Sequence, residues 1–276
     1  VIHQPTANYV NYYGMANGLP LDDPDSGFDP KHPFKNRDPR FYHDIVFDGF
    51  KYINTTIDAV KEPKVAALQY IPMYSGSILR SSSSQGCRTG YYTQKLVPHQ
   101  ANKYDGMYEW GGALQCDLPY MRLADLYLMY AEAGAAVQGA NYKSSKLNLT
   151  AAEAINVLRE RVKAGHVADK FMNDQKKFMD EVRRERAVEL AFEGFRFMDL
   201  RRWMLLDKSP YTLKTKIEFD RVPTASYNKE HPEENEIMNL KEVVLVERKY
   251  TDRHYWLPLP KADVYLYEGF GQNPGW

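Results

Sequence analysis

The stretch RRERAVELAFEGFRFMDLRRW, residues 183–203, alternates acidic and basic side chains and interleaves them with aromatic rings. Such a stretch suits a solvated surface helix, a nucleic-acid-binding face or the inside of a packed scaffold. Mixed charge signs disfavour nucleic acid, whose phosphates select an excess of Lys and Arg. The aromatic residues favour burial, so we expect the acids and arginines to lie between packed elements, with Gly194 breaking the helix. The i,i+3 spacing predicts ion pairs of Arg186 with Glu189, Glu193 with Arg196 and Asp199 with Arg202.

Two helices are predicted before this stretch, because apolar side chains recur there every three or four residues. The first follows Pro119 and carries two neighbouring apolar faces, which is typical of a helix packed between others. The second begins at Thr150, which can form a capping box with Glu153, and is expected to stop at Gly165. Together they form an αα-hairpin of the kind that stacks in helical repeats.

A third helix is predicted to begin after Asn173 or Asp174 and to run through Leu190 and Ala191. The three helices predict a mainly α fold: a helical-repeat (TPR-like) scaffold with long loops and a few short β-strands.

Along the chain, residues 1–276 are interpreted as a single unit. We expect irregular, ligand-facing loops over residues 1–118, a helical core over about 119–206 and an irregular region over 207–276. Alternating or β-branched residues predict strands within 41–53, 89–97 and 242–250, and the C-terminal residues are expected to form an extended tail packed on the body.

Composition excludes several classes of protein. Lys plus Arg and Asp plus Glu both number 36, so the chain lacks the basic field that general nucleic-acid or membrane-surface binding requires. No apolar run is long enough to span a membrane. The acids at Asp23, Asp25 and Asp29 alternate but lack the spacing of a calcium loop. Cys87 and Cys116 are as consistent with a disulfide as with free thiols.

No Gly-rich phosphate loop, Ser/His/Asp motif or His-rich metal cluster occurs in the sequence, so we expect no cofactor and no catalysis. A glycoside hydrolase remains an alternative, because acidic residues are plentiful, although no carboxylate pair stands out.

The long irregular stretch over residues 70–116 is unusually aromatic, and loops of this length in compact domains are usually functional or disordered. Saccharides bind by stacking on aromatic rings and by hydrogen bonds from amide, acidic and guanidinium groups. Tyr108 and Trp110 are the predicted stacking platforms, with Tyr74 and Tyr104 behind them. The predicted hydrogen-bonding groups are Arg80, Gln100, Asn102 and Asp105.

Four stretches, in order, resemble the SusD/RagB family: NRDPRFYHDIVFDG (36–49), PYMRLADLYLMYAEA (119–133), ERAVELAFEGFRFMDLRRW (185–203) and WLPLPKADVYLYEGFGQNPGW (256–276). The resemblance covers this chain but only the C-terminal half of a family member, so an N-terminal half, with the lipidated cysteine and further helical repeats, is expected as a partner.

The resemblance implies a non-enzymatic lipoprotein on the outer-membrane surface of Bacteroidota. Such a protein captures nutrient oligomers, usually glycans, and delivers them to a SusC-like TonB-dependent transporter. Peptide cargo, or a helical-repeat module that binds only protein, remain the alternatives, and the aromatic loop favours a nutrient.

Overall fold

The computed structural model of the chain describes residues 4–81, 86–106, 118–223, 226–266 and 268–276. Helices dominate this part of the chain and strands are few, so the predicted mainly α class is confirmed. The helices are α1 Ala7–Val10, α2 Pro39–Asp44, α3 Pro63–Gln69, α4 Ile78–Ser81, α5 Leu123–Val137, α6 Ala151–Arg161, α7 Asp169–Met172, α8 Gln175–Glu189, α9 Phe195–Arg202 and α10 Lys261–Leu266. The strands are β1 Ile45–Val46, β2 Tyr92–Thr93, β3 Leu213–Arg221 and β4 Ile237–Glu247.

Helices α5, α6 and α8 pack against one another as the helical scaffold that the sequence predicts. Ala135, Ile155 and Val182 belong to the apolar cluster between them. Gly134 allows the close approach of α5 to the segment around α6, since a Cβ there would lie 2.9 Å from the Cβ of Ala151. Among the described residues, no helix has the length and apolar character needed to cross a membrane.

The starts of α6 and α8 follow from their capping residues. Thr150 and Glu153 form the predicted capping box, and the Asp174 side chain accepts hydrogen bonds from the first-turn backbone of α8. The predicted stop of α6 at Gly165 is wrong, because the helix already ends at Arg161. Gly165 instead packs against the chain at Asn17, whose carbonyl oxygen would lie 2.1 Å from an added Cβ.

The strand predicted within residues 41–53 is largely wrong. Asp38 caps α2 by accepting a hydrogen bond from the Arg40 backbone, and Pro39 occupies the first helical position, so these residues begin a helix. Only β1 is extended, and it pairs with β2 in antiparallel register, Ile45 opposite Thr93. The strand predicted within 89–97 is therefore present but two residues long.

Strands β3 and β4 form an antiparallel hairpin. The predicted strand at residues 242–250 is confirmed with shifted ends, and the irregular structure expected at 213–221 is wrong. The signal for β3 lies in the sequence, because Thr215, Ile217 and Phe219 alternate with charged residues and are buried on one face.

The second core is aromatic and lies in the first third of the chain, where mostly loops were predicted. Phe34, Phe41 and Phe47 pack with ring centroids 5.1–6.4 Å apart, and Phe219 of β3 joins them at 5.8 Å from Phe34. The C-terminal residues form α10 and a turn that holds the Trp276 indole on the carbonyl of Trp256 at 2.8 Å.

Candidate functional site

Arg40 connects α8 to the first third of the chain. Its guanidinium is buried and donates to carboxylates of Asp38 at 2.8 Å, Glu185 at 2.5 Å and Glu189 at 3.0 Å. Glu185 also accepts from Arg159 of α6 at 2.8 Å. Charge-assisted hydrogen bonds of this kind fix geometry between elements.

A second set of ion pairs joins α8 and the turn after it to the helix α5 and to residue 95. Arg122 binds Glu189 at 2.7 Å and Glu193 at 2.8 Å, and Lys95 binds Glu193 at 2.8 Å. A third set lies around Arg186, which binds Asp125 at 2.9 Å and Asp199 at 3.1 Å.

The interpretation of residues 183–203 as internal to a packed scaffold is therefore confirmed, but two of its three pairings are wrong. Glu189 and Glu193 find arginine and lysine partners on other elements, because burial selects partners across the interface over neighbours on the same turn. Only the pair of Asp199 with Arg202, at 2.9 Å, forms as predicted.

Buried glutamates of α8 have pKa values below their ordinary value, because arginines surround them. Burial would raise the pKa of Glu185, but Arg40 and Arg159 lower it from 4.5 to about 2. The pKa values of Glu181 and Glu189 are also lowered, against the effect of burial, by their arginine partners.

Acid is therefore expected to unfold the protein through these groups. Because the folded pKa of Glu185 lies below its unfolded value, its contribution is present above pH 4.5 and is lost as pH falls towards 2. We expect the free energy of unfolding to fall over that window by on the order of 3 kcal/mol from Glu185 alone. Urea unfolding followed by circular dichroism between pH 6 and 2 measures it, and a stability that stays constant to pH 2 contradicts the assignment.

The predicted ligand residues fall into three groups. Tyr108 and Trp110 lie outside the described residues, as does Cys116, while Cys87 is a buried free thiol. Arg80 is committed to the fold, since it donates to the carbonyls of Cys87 at 2.9 Å and Ile217 at 2.7 Å. Gln100 and Tyr74 line two different pockets, and Asn102, Tyr104 and Asp105 line neither of them.

Asn102 and Asp105 hold the loop they belong to. Asp105 accepts hydrogen bonds from the backbone of Asn54 and Thr55, and Asn102 donates to Asp105 at 2.9 Å. Burial would raise the pKa of Asp105, yet these hydrogen bonds hold it well below its usual range. We name this arrangement the Asp105 hook. The neighbouring Tyr104 has the Lys103 ammonium 4.8 Å from its ring centroid. Asn102 and Asp105 form their hydrogen bonds within the chain, so they hold the loop in place and do not themselves offer groups to a ligand.

Beside the hook lies the loop pocket, a cavity of about 320 Å³. Phe50, Tyr52 and Tyr92 contribute aromatic walls, and Asn54 and Gln100 contribute amides. Gln100 is exposed, and no described group accepts or donates a hydrogen bond to its side chain, which leaves the amide available to a ligand. Small-ligand sites usually occupy about 300–1,000 Å³ and combine apolar walls with a few polar groups, as this pocket does.

Tyr74 lies in a second cavity, of about 610 Å³, that we name the Arg221 pocket. The Arg221 guanidinium lies 4.6 Å from the ring centroid of Tyr74 and 3.8 Å from that of Tyr227, and Asp48 accepts from it at 2.8 Å. Arg221 and Tyr227 were not among the predicted site residues, because their region was interpreted as irregular. The available signal was an Arg at the end of an alternating strand.

In the part of the chain that the structure describes, no group of three His, Cys, Asp or Glu side chains is arranged to hold a metal ion. The alternating acids near residue 25 bind a lysine instead: Asp23 and Asp25 lie 2.5 and 2.8 Å from Nζ of Lys170.

Comparison with solved structures shows a shared fold. A SusD-like protein from Bacteroides fragilis matches with a TM-score of 0.69 and 24% identity over 99% of this chain and 47% of its own. A SusD-like carbohydrate binding protein from the same organism matches with a TM-score of 0.57 and 20% identity, over 95% and 47% of the two chains. The chain thus spans about half the length of these structures. No match is found among the curated proteins.

The family model described as the SusD family matches residues 2–276, almost the whole chain, in agreement with the four stretches and with the helical scaffold described above. The chain belongs to the SusD family.

Proposed function

We propose that the protein captures oligosaccharides at the cell surface, without catalysis, and delivers them to a SusC-like TonB-dependent transporter. The observation that carries the proposal is the family match over residues 2–276. One solved structure of this fold is described as a SusD-like carbohydrate binding protein, which supports a saccharide as the ligand. Outer-membrane location and a lipid anchor in a preceding segment are part of the same proposal.

The loop pocket is the proposed saccharide site. Aromatic rings at Phe50 and Tyr52 offer apolar faces for the C–H face of a sugar, and the amides of Asn54 and Gln100 can donate and accept hydrogen bonds to its hydroxyls. The Asp105 hook fixes the loop that carries Gln100, so the pocket is held in shape before a ligand enters. The Arg221 pocket, with Tyr74, is proposed as a second contact for a longer oligomer.

The test is a calorimetric titration of the protein with neutral oligosaccharides, selected first on a glycan and peptide array. Tyr52→Ala is expected to weaken binding about tenfold, since stacking area is lost, and Gln100→Ala about fivefold, the effect of one hydrogen bond. Tyr265→Ala, which removes an exposed aromatic of α10 that lines neither pocket, is the control and should leave the affinity unchanged.

Three other results would each overturn one part of the proposal. Equal affinities of Tyr52→Ala, Gln100→Ala and the unsubstituted protein overturn the site. Array binding of peptides alone replaces saccharide by peptide cargo, and turnover of a chromogenic glycoside overturns the non-enzymatic proposal.

We also propose that the exposed face of α5 docks helical repeats supplied by an N-terminal half. Tyr120 just before α5 is 99% exposed, and Leu123, Leu126 and Met129 recur along the helix with exposed apolar side chains. The matched solved structures are about twice as long as this chain, which supplies an occupant of the right kind.

Oxidative footprinting checks the docking. In a polypeptide of family length, oxidation of Met129 is expected to slow at least about fivefold relative to the 276-residue chain, because covered side chains react more slowly. Met238 of β4, comparably exposed, is the reference side chain. Equal oxidation of Met129 in both polypeptides contradicts the proposal.

A further inference from the structure

A third cavity, of about 680 Å³, lies where β3 begins beside the bend at Gly194. Besides Lys95, three cations line it: Arg196 of α9, Lys214 of β3 and Arg248 just after β4. We name it the cationic cavity. This cavity and the loop pocket share only two lining residues, Thr93 and Val97.

The three cations have no anionic partner among the described residues. The Lys214 ammonium donates to the carbonyl of Tyr211 at 3.2 Å, and the Arg248 guanidinium reaches the Tyr250 hydroxyl at 3.4 Å, both neutral groups. The fourth cation of the lining, Lys95, is by contrast neutralised by Glu193 at 2.8 Å. The cavity therefore has an excess of positive charge that the described chain does not balance.

Burial and the neighbouring cations both disfavour the charged form of Lys214. Burial, followed by the charges of Arg248 and Arg196, lowers its pKa from 10.5 to about 8. An anion placed among the three groups would relieve that repulsion.

Two unsatisfied donors point to the same conclusion. In the described chain only four buried side-chain polar atoms lack a hydrogen-bond partner, and two of them, Nη1 of Arg196 and the hydroxyl of Thr93, belong to residues that line this cavity. Buried polar groups are normally paired, so an orphaned guanidinium nitrogen and hydroxyl mark a place where an acceptor is missing. The Arg196 guanidinium is held in place by the rings of Tyr12, at 4.8 Å, and Tyr211, at 5.6 Å.

Aromatic walls accompany the charges. Tyr9 and Phe192 lie with ring centroids 5.5 Å apart, and Phe197 is 41% exposed at the same cavity. A ligand that carries both an anionic group and an apolar ring face, as an acidic sugar does, would satisfy both parts of the lining.

We propose that the cationic cavity binds the acidic group of a saccharide unit, a uronate carboxylate or a sulfate ester, so that the captured glycan is an acidic one. This rests on the proposed function, since it names the class of oligosaccharide. Arg196, Lys214 and Arg248 hold the anion, and Tyr9, Phe192 and Phe197 face the sugar ring.

The test compares three ligands by calorimetry on the protein: a galacturonate tetramer, its methyl ester, which is neutral, and a sulfated chondroitin tetramer. At least one acidic tetramer is expected to bind at least about tenfold more tightly than the neutral ester, and raised salt should reduce that advantage. A fourth ligand, the desulfated chondroitin tetramer, keeps the uronate carboxylates: tighter binding of the sulfated form identifies the group as sulfate, and equal binding of the two forms identifies it as carboxylate.

Variants locate the effect. Lys214→Met and Arg248→Met are each expected to remove about tenfold of the acidic tetramer's affinity and to leave the neutral ester unchanged. Both should fold, because each removes a charge that its neighbours repel. Lys249→Met, the adjacent exposed cation that does not line the cavity, is the matched control and should change nothing.

The outcomes separate this inference from the function beneath it. Equal affinity for the ester and both acidic tetramers, or an acidic advantage that survives in Lys214→Met and Arg248→Met, overturns the inference alone. Tighter Lys214-dependent binding of a poly-glutamate peptide than of any tetramer overturns its saccharide part. Absence of binding by any oligosaccharide, acidic or neutral, overturns the proposed function and this inference with it.

Discussion

Replacement of Arg40 by Met is expected to lower the free energy of unfolding by about 3–5 kcal/mol, among the largest effects of any single substitution in this chain. Arg40 is 7% exposed, and its guanidinium lies between three carboxylates, those of Asp38, Glu185 and Glu189. Its removal leaves buried anions without their shared counter-charge, and that cost far exceeds the loss of a surface ion pair.

Urea unfolding monitored by circular dichroism measures the effect of Arg40→Met. Lys61→Met is the matched control, because Lys61 pairs with Asp58 at 3.4 Å on the surface and such pairs contribute about 0–1 kcal/mol. If Arg40→Met loses no more stability than Lys61→Met, the buried ion pairs do not hold α2 and α8 together.

Replacement of Phe41 by Ala is expected to cost about 3–5 kcal/mol of unfolding free energy, the range for a large aromatic side chain deleted from a packed core. The ring is fully buried, lies 5.2 Å from Phe47 and 5.3 Å from Tyr42, and carries the Arg37 guanidinium 4.6 Å above it. The loss of unfolding free energy in Phe41→Ala tests whether the first third of the chain, which the sequence predicted mainly as loops, forms a packed core of its own.

The same unfolding measurement on Tyr265→Ala provides the comparison, because that side chain is 81% exposed and its removal should change stability by less than about 0.5 kcal/mol. Should Phe41→Ala unfold at the same urea concentration as Tyr265→Ala, the aromatic cluster would not be the core that its burial indicates.

The sequence was sufficient where the structure depends on neighbours along the chain. The capping residues Thr150 and Asp174 start α6 and α8 as predicted, and the apolar periodicity of α5 identified a helix between two neighbours. Local rules determine these features: which side chain can satisfy a free backbone N–H, and which face of a helix is apolar.

The sequence was insufficient where the structure depends on residues far apart. Arg40 and Glu185 are separated by 145 positions, and nothing near either residue identifies the other as its partner. The charged alternation of β3 was read as a polar loop, so Arg221 and its stacking on Tyr74 were missed. Asn102 and Asp105 were chosen for their chemistry, yet their own loop uses that chemistry, which only coordinates reveal.

The most direct measurement of the account is a crystal structure of the protein soaked with the oligosaccharide that binds most tightly in the array. We expect a sugar ring against Phe50 and Tyr52 in the loop pocket, with a hydroxyl within hydrogen-bond distance of the Gln100 amide. A saccharide bound only at a surface outside the loop pocket would contradict this prediction.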